Sequence, residues 1–227
     1  MKEFDDLKDY MQESSTIMNN NVVKRGFSTG IDGLYILEDV IEIFGDECSG
    51  KSSLAYKLVA ALQEQNKQGL LIDTENSFQS LWAEKLGVDT TKLHISLGST
   101  DSFALIEYCA ACFDFIVVDS LGGLLNQTRN LKAGSVITAL KSIVQACQTN
   151  NCILILTNQV RDNGRYLKSP GGKVFHKLIP FRIMLKNCNY TKLKKMDRLR
   201  ISSKVVKSIS SEPFETNLFD IYLTKAS

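Results

Sequence analysis

Apolar residues in this chain come in short, nearly unbroken runs at 40–44, 70–72, 93–95, 115–118 and 152–157. Each is too short for a helix, and all but 93–95 are bounded by Gly, Asp or Asn, which predicts buried strands. Between them, 53–65, 77–86, 102–112 and 135–148 carry apolar residues at helical spacing. Buried strands alternating with helices predict a mostly parallel sheet covered on both faces. The rhythm changes after 180. Segments 181–185, 199–206 and 218–223 read as strands with no helix between them, so the sheet is expected to end antiparallel on its C-terminal edge. The basic stretch between the first two of these reads as a hairpin turn.

At the other end, Phe4, Leu7, Tyr10 and Met11 fall on one face of a short helix, and Asn19-Asn20-Asn21 follows as a linker. Val22-Val23 can add a short strand, and Ser28-Thr29-Gly30 reads as a turn. A helix this short does not hold alone in water. It must dock on its own core or on a neighbour. With no repeat, low-complexity tract or second apolar core, the expected organisation is an arm at 1–27 and one α/β domain at 28–227.

Composition adds a charge asymmetry. The 227 residues carry a net charge of only +2, with ordinary apolar content, so no global field points to a nucleic acid. From 161 to 207, however, fourteen Lys and Arg face two Asp, while Glu3, Asp5 and Asp6 make the start acidic. Such a face is either simply solvated or a set of phosphate contacts. Cys109-x-x-Cys112 has a metal or redox spacing but lies in an apolar helical stretch with no second pair. The pair therefore reads as buried free thiols, and the use of six cysteines suits a reducing compartment. No signal peptide or apolar run of membrane-spanning length occurs, which predicts a protein that is not secreted and does not enter a membrane.

The chemistry concentrates where the first strand runs into Gly45-Asp46-Glu47-Cys48-Ser49-Gly50-Lys51-Ser52. Strand, G-x-x-x-x-G-K-S loop and helix together form the context of a phosphate-binding loop. Gly45 and Gly50 let the backbone turn its N–H groups inward onto phosphate oxygens. The following helix adds the positive end of its dipole. Lys51 is expected to reach the β- and γ-phosphates and the Ser52 hydroxyl to bind Mg²⁺. In open α/β sheets the site lies past the carboxyl ends of the strands. There the 115–119 strand delivers Asp119, a second Mg²⁺ group, and the 70–73 strand delivers Asp73-Thr74-Glu75. Glu75 is placed either as a base for an attacking water or as a helix-entry acid. The amide pair Asn158-Gln159 ends a further strand and can sense a γ-phosphate.

Taken in order, these stretches resemble the RecA family of strand-exchange ATPases. The phosphate loop is similar to G-P-E-S-S-G-K-T-T, and Leu71-Ile72-Asp73-Thr74-Glu75 is similar to the family's strand with the catalytic glutamate. Ala83-Glu84-Lys85-Leu86-Gly87-Val88-Asp89 looks like A-R-K-L-G-V-D, and Ile116-Val117-Val118-Asp119-Ser120 looks like I-V-V-D-S. Thr157-Asn158-Gln159-Val160-Arg161 and Gly171-Gly172 match the opening and close of a second DNA-binding loop. Val205-Val206-Lys207 and Pro213-Phe214 match a late strand and its turn.

The resemblance implies a RecA-like P-loop ATPase core using ATP and Mg²⁺. It places Gly45, Asp46, Glu47, Cys48, Ser49, Gly50, Lys51, Ser52, Ser53, Gln79, Trp82 and Asp119 around the nucleotide, with Ser52 and Asp119 on the metal. Trp82 either stacks on the base, where the family has a tyrosine, or is a core residue of its helix. Glu75 would activate water, Gln159 would couple the nucleotide to the DNA loop, and Lys207 would reach a neighbouring subunit's ATP. Lys141, Arg161, Arg165, Lys168, Gly171 and Gly172 would meet single-stranded DNA.

There are departures. The connection 122–134 and the loop 160–170 are short. Ile209 replaces a second lysine, Lys177 stands where an inter-subunit aromatic is expected, and the family's C-terminal domain is expected to be missing. The expected function is an ATP-dependent recombinase acting in homologous recombination and DNA repair, assembled head to tail with ATP between subunits. The alternative is a RecA paralogue that binds ATP but hydrolyses it slowly, forms a heteromer with another RecA-type protein, and acts as a mediator or regulator of another recombinase or polymerase. Either would work in the cytoplasm, nucleoid or nucleus.

Overall fold

A computed structural model describes residues 27–31, 34–127, 133–162, 167–168, 172–192, 196–208 and 213–224. The arm at 1–26, with its expected helix, linker and Val22-Val23 strand, lies outside the described residues.

The first described element is a small hairpin, β1 (Phe27–Ser28) against β2 (Tyr35–Ile36), where sequence suggested only a turn. The Thr29 hydroxyl closes it by donating to the Leu34 carbonyl at 2.5 Å. Then come β3 (Val40–Gly45), α1 (Lys51–Glu64), β4 (Gly69–Asp73), α2 (Ser80–Lys85) and β5 (Leu93–Leu97). They are followed by α3 (Ser102–Cys109), β6 (Phe115–Asp119), α4 (Leu121–Gln127), α5 (Ala133–Thr149) and β7 (Ile153–Gln159). A short pair, β8 (Arg161–Asp162) and β9 (Leu167–Lys168), precedes α6 (Gly172–Leu178). Three long strands close the chain: β10 (Phe181–Lys192), β11 (Met196–Lys207) and β12 (Phe214–Thr224).

The main sheet has eight strands in the order β12-β11-β10-β3-β7-β6-β4-β5. From β10 to β5 every neighbour is parallel, while β11 and β12 add antiparallel on the C-terminal edge, as the change of rhythm predicts. Because both faces are covered, the central strands are apolar on both sides. Leu54, Leu58 and Leu62 of α1, spaced one turn apart, pack on Ile41, Ile43, Leu71, Val117 and Ile155. On the opposite face Phe103, Ile106, Leu121, Leu140, Ile143 and Phe175 cover Val40, Ile72, Ile116, Val118, Leu154 and Leu156. Each such side chain contributes about 1.5–3 kcal/mol on burial, which is why these segments fold as they do despite modest strand length. Helix α1 ends in a Schellman turn. Asn66 takes φ 59°, its N–H meets the Gln63 carbonyl at 2.9 Å, and the Lys67 N–H meets the Leu62 carbonyl at 3.1 Å.

Several expectations are corrected. Helix α2 begins at Ser80, not 77, because buried Asp73 takes the Phe78 N–H at 2.8 Å and holds 74–78 out of a helix. Helices α4 and α6 were not foreseen, since Gly122-Gly123 and Gly171-Gly172 lower helix propensity at their starts. The basic stretch after 185 is mostly strand, not turn. Cys109 is buried but Cys112 is exposed, so the reading of that pair as buried thiols holds for Cys109 alone. Among the described residues no His, Cys, Asp and Glu cluster could hold a metal ion by itself. None of their helices is long and apolar enough to cross a membrane.

Candidate functional site

Strand β3 is fully buried and ends at Gly45, so the loop that follows emerges at the carboxyl rim of the sheet with little freedom. A side-chain carbon at Gly45 would come within 2.7 Å of both the Leu185 carbonyl and Ser49 Oγ; only glycine fits. At the other end of the loop Gly50 has φ 90°, a left-handed conformation that costs other residues energy. Helix α1 starts on the next residue, so its first N–H groups face the loop. Cys48, also left-handed at φ 56°, is exposed at the tip. Ser49 Oγ is buried with no hydrogen-bond partner, an orphaned polar atom within the loop itself.

The Lys51 ammonium reaches back across this loop and donates to the Asp46 carbonyl at 2.6 Å. Burial lowers its pKa, opposed by the nearby carboxylates of Asp119, Glu75 and Asp46 and by the Cys48 thiol. Asp119 ends β6 almost buried, and desolvation raises its carboxyl above the ordinary 3.8. Hydrogen bonds from Thr157 and Ser52 pull the other way, and Glu75 and Asp73 add to the rise. Ser52 and Asp119, the two expected metal groups, therefore lie near one another.

Glu75 is exposed at the end of β4. Its position is set from two sides. Its own N–H donates to Asp73 Oδ1 at 3.2 Å, and its carboxylate accepts from the Ser120 hydroxyl. Ser120 in turn is clasped by Thr74, whose hydroxyl accepts from the Ser120 N–H at 2.7 Å and donates to the Ser120 carbonyl at 2.9 Å. The adjacent ends of β4 and β6 are thus stitched by side chains, and the acid is presented rather than left to a mobile loop. Gln159 ends β7 level with Gly45, and the next N–H, from Val160, donates to the Gly45 carbonyl at 3.2 Å.

Trp82 is half-buried on α2, and its indole N–H donates to Ser53 Oγ at 3.1 Å, tying the ring edge to the start of α1. It also packs against the α1-side core, so both readings of this residue retain support. Gln79 precedes α2, exposed, without capping it through its side chain. Lys141 is half-buried on α5, away from the loop in sequence and element. Arg161 and Lys168 are cross-strand partners on β8 and β9, and Gly172 opens α6. Arg165 and Gly171 fall outside the described residues. Lys207 is engaged at the end of α6, where its ammonium donates to the carbonyls of His176, Lys177 and Ile179.

Sequence reasoning brought together Lys51, Ser52, Glu75, Asp119 and Gln159, and missed the groups that hold them. Thr74, Ser120 and Thr157 each adjoin a predicted acid or amide, and that adjacency was the available signal. Glu42 on β3 and Arg182 on β10 gave none, because their pairing spans 140 residues.

The profile described as RecA N-terminal domain matches residues 10–226. The Protein RecA of Wolbachia sp. subsp. Drosophila simulans (strain wRi) is 33% identical over 80% of this chain and 57% of its own length. That of Anaplasma marginale (strain Florida) is 30% identical over 95% of this chain and 65% of its own. That of Ehrlichia ruminantium (strain Gardel) is 32% identical over 80% and 57%. The chain thus spans between 57% and 65% of the length of these relatives.

Proposed function

The chain belongs to the RecA family, and from that premise we propose that it is an ATP-dependent recombinase core that binds single-stranded DNA. Its place would be in homologous recombination and repair. The observation that carries the proposal is the convergence, on one rim, of a desolvated Lys51 ammonium, a Ser52–Asp119 pair and a Glu75 carboxylate held by Ser120.

The residues fit a magnesium nucleotide. Inward N–H groups at the start of α1, the orphaned Ser49 hydroxyl and Lys51 suit phosphate oxygens. Phosphate would compete with the Asp46 carbonyl for the ammonium. Ser52 and Asp119 would hold Mg²⁺, which when bound supplies charge neutralisation at the β- and γ-phosphates. Glu75, exposed and held by Ser120, would take a proton from water attacking the γ-phosphorus. Trp82, fixed to Ser53, offers a ring to the base. Gln159 abuts the loop through the Val160–Gly45 bond and would sense the γ-phosphate.

Residues 28–227 would form this core and 1–27 an arm on it or on a neighbour. DNA would be met by Lys141, Arg161, Arg165, Lys168 and the Gly171-Gly172 segment. Head-to-tail assembly would bring a neighbour's nucleotide toward Lys207, which must first leave the carbonyls of α6. The decisive experiment combines calorimetric titration with Mg-ATP, ATPase rates with and without single-stranded DNA, and negative-stain microscopy. Binding, a DNA-stimulated rate and filaments are expected. No heat from folded protein refutes nucleotide binding; binding with a DNA-indifferent rate and no filaments refutes the recombinase.

A further inference from the structure

The nucleotide site accounts for the acids at the rim but not for the most deeply buried charged residue among those described. Glu42, midway along β3, has no exposed surface. Its two oxygens are divided between neighbouring strands. One accepts from Asn158 Nδ2 of β7 at 2.7 Å, and the other accepts from Arg182 Nε of β10. The Arg182 guanidinium also lies over the Phe44 ring, 4.5 Å from its centroid. Three adjacent strands are therefore joined through side chains on one face, amid Val40, Leu154 and Leu156. An apolar trio would pack there at least as well, since buried ion pairs seldom stabilise more than apolar residues of their size. The retained charge is better explained by what it aligns.

It aligns both edges of the site. Phe44 immediately precedes Gly45, where the phosphate loop begins. Asn158 immediately precedes Gln159, which is level with Gly45. On the far side Arg182 is the cross-strand partner of Lys207, whose ammonium holds the end of α6. The segment from Val160 to α6 is thus anchored at both ends to strands that share one carboxylate. If Gln159 shifted alone, Asn158 would follow and leave a Glu42 oxygen without its donor in a dry interior, which is costly. Movement of the three strands together avoids that cost.

We infer that Glu42, Asn158 and Arg182 are positioning residues that make the phosphate loop, the end of β7 and the 160–178 segment respond to nucleotide as one unit. The inference rests on the nucleotide site proposed above. The test measures Mg-ATP-analogue affinity and backbone hydrogen exchange across 160–178, with and without nucleotide, in the full chain. Variants are Asn158→Ala, Arg182→Lys and, as a packing control, Ile183→Val, whose side chain lies on the opposite, α1-covered face.

In the unaltered chain nucleotide should slow exchange across 160–178 by about tenfold or more. Asn158→Ala should lose the slowing even at nucleotide concentrations that saturate it. Arg182→Lys keeps the charge but not the planar fork, so it should retain part. Ile183→Val should retain all. Full slowing in both Asn158→Ala and Arg182→Lys overturns the inference, as does equal loss in Ile183→Val, which would mean general loosening. Should Asn158→Ala not fold, Arg182→Lys against Ile183→Val decides. Failure of the unaltered chain to bind overturns the nucleotide reading and this one with it. Binding without any slowing overturns this one alone.

Discussion

Asp119 is held in two opposing ways, and its substitution separates them. Burial penalises its ionised form, while Thr157 and Ser52 donate to it. Because its folded pKa is raised, its contribution favours the fold at low pH and is lost as pH rises through that raised value, above 3.8. At neutral pH the charge is therefore a cost in the absence of a cation. Asp119→Asn should raise the thermal midpoint of the nucleotide-free protein at pH 7, by about 2–4 °C per kcal/mol recovered, while weakening Mg²⁺-dependent nucleotide binding. A lower midpoint by scanning calorimetry would contradict the burial argument. In the unaltered chain, Mg-ATP affinity should climb as pH rises through the acid range and then level off. Glu75→Gln tests the neighbouring acid. The amide oxygen can still accept from Ser120, so geometry and binding persist, and turnover should fall by about 10²–10⁴-fold. Unchanged turnover in a coupled ATPase assay rules Glu75 out as the base. These acids were legible from sequence because Asp119 closes one apolar strand and Glu75 follows just past the end of another. Their holders were not, because a Thr or Ser beside an acid is common and a Glu42–Arg182 pair is invisible until the sheet brings β3 and β10 together.

Helix α6 shows what one distant side chain does for an element. Its seven residues are too few to stand alone, and it begins at a glycine. Phe175 and Ile179 bury one side against the core, and the carbonyls of His176, Lys177 and Ile179 accept from the Lys207 ammonium. Lys207 can do this because β10 and β11 slip register between Arg182 and Ile183, turning Lys207 to the same side as Arg182. A cation at a partly buried helix C-terminus contributes about 1–2 kcal/mol. Lys207→Met, of similar length but uncharged, should lower stability by about that amount and speed amide exchange across 172–178. A urea midpoint and an exchange profile both unchanged would show that the contact holds nothing. The same helix marks the limit of reading elements from sequence. Strands β3, β4, β6 and β7 were legible because their burial is written as continuous apolar runs. Helix α6 was not, because Lys207, remote in the chain, holds its end; the strands of the β1–β2 hairpin are too short to show a period, and the far halves of β10 and β11 are polar and carry no apolar run.

At the scale of the whole molecule, charge and topology point to the same end of the sheet. The 161–207 stretch holds fourteen of the twenty-seven basic residues and two of the twenty-five acidic ones, so it carries +12 against −10 for the remainder. Strand β10 pairs with β3 only as far as Leu185 opposite Gly45, then continues to Lys192. The antiparallel edge therefore extends past the rim that bears the phosphate loop, and carries much of the positive charge with it. Strands β8 and β9 emerge from the same rim, directly after Gln159. If this end meets the backbone of single-stranded DNA, counterion release must dominate the affinity. About four phosphate contacts would give a slope near −3 in log affinity against log salt, and each contact removed, as in Lys168→Ala, should flatten it by about 0.7. Fluorescence anisotropy of a labelled oligonucleotide from 50 to about 300 mM salt measures both quantities. A net charge of +2 predicts almost no salt dependence if charge is spread evenly, so a steep slope can only come from the segregation. A flat profile, with the same slope for Lys168→Ala, would place any DNA contact elsewhere on the molecule and leave the basic end as a solvated face.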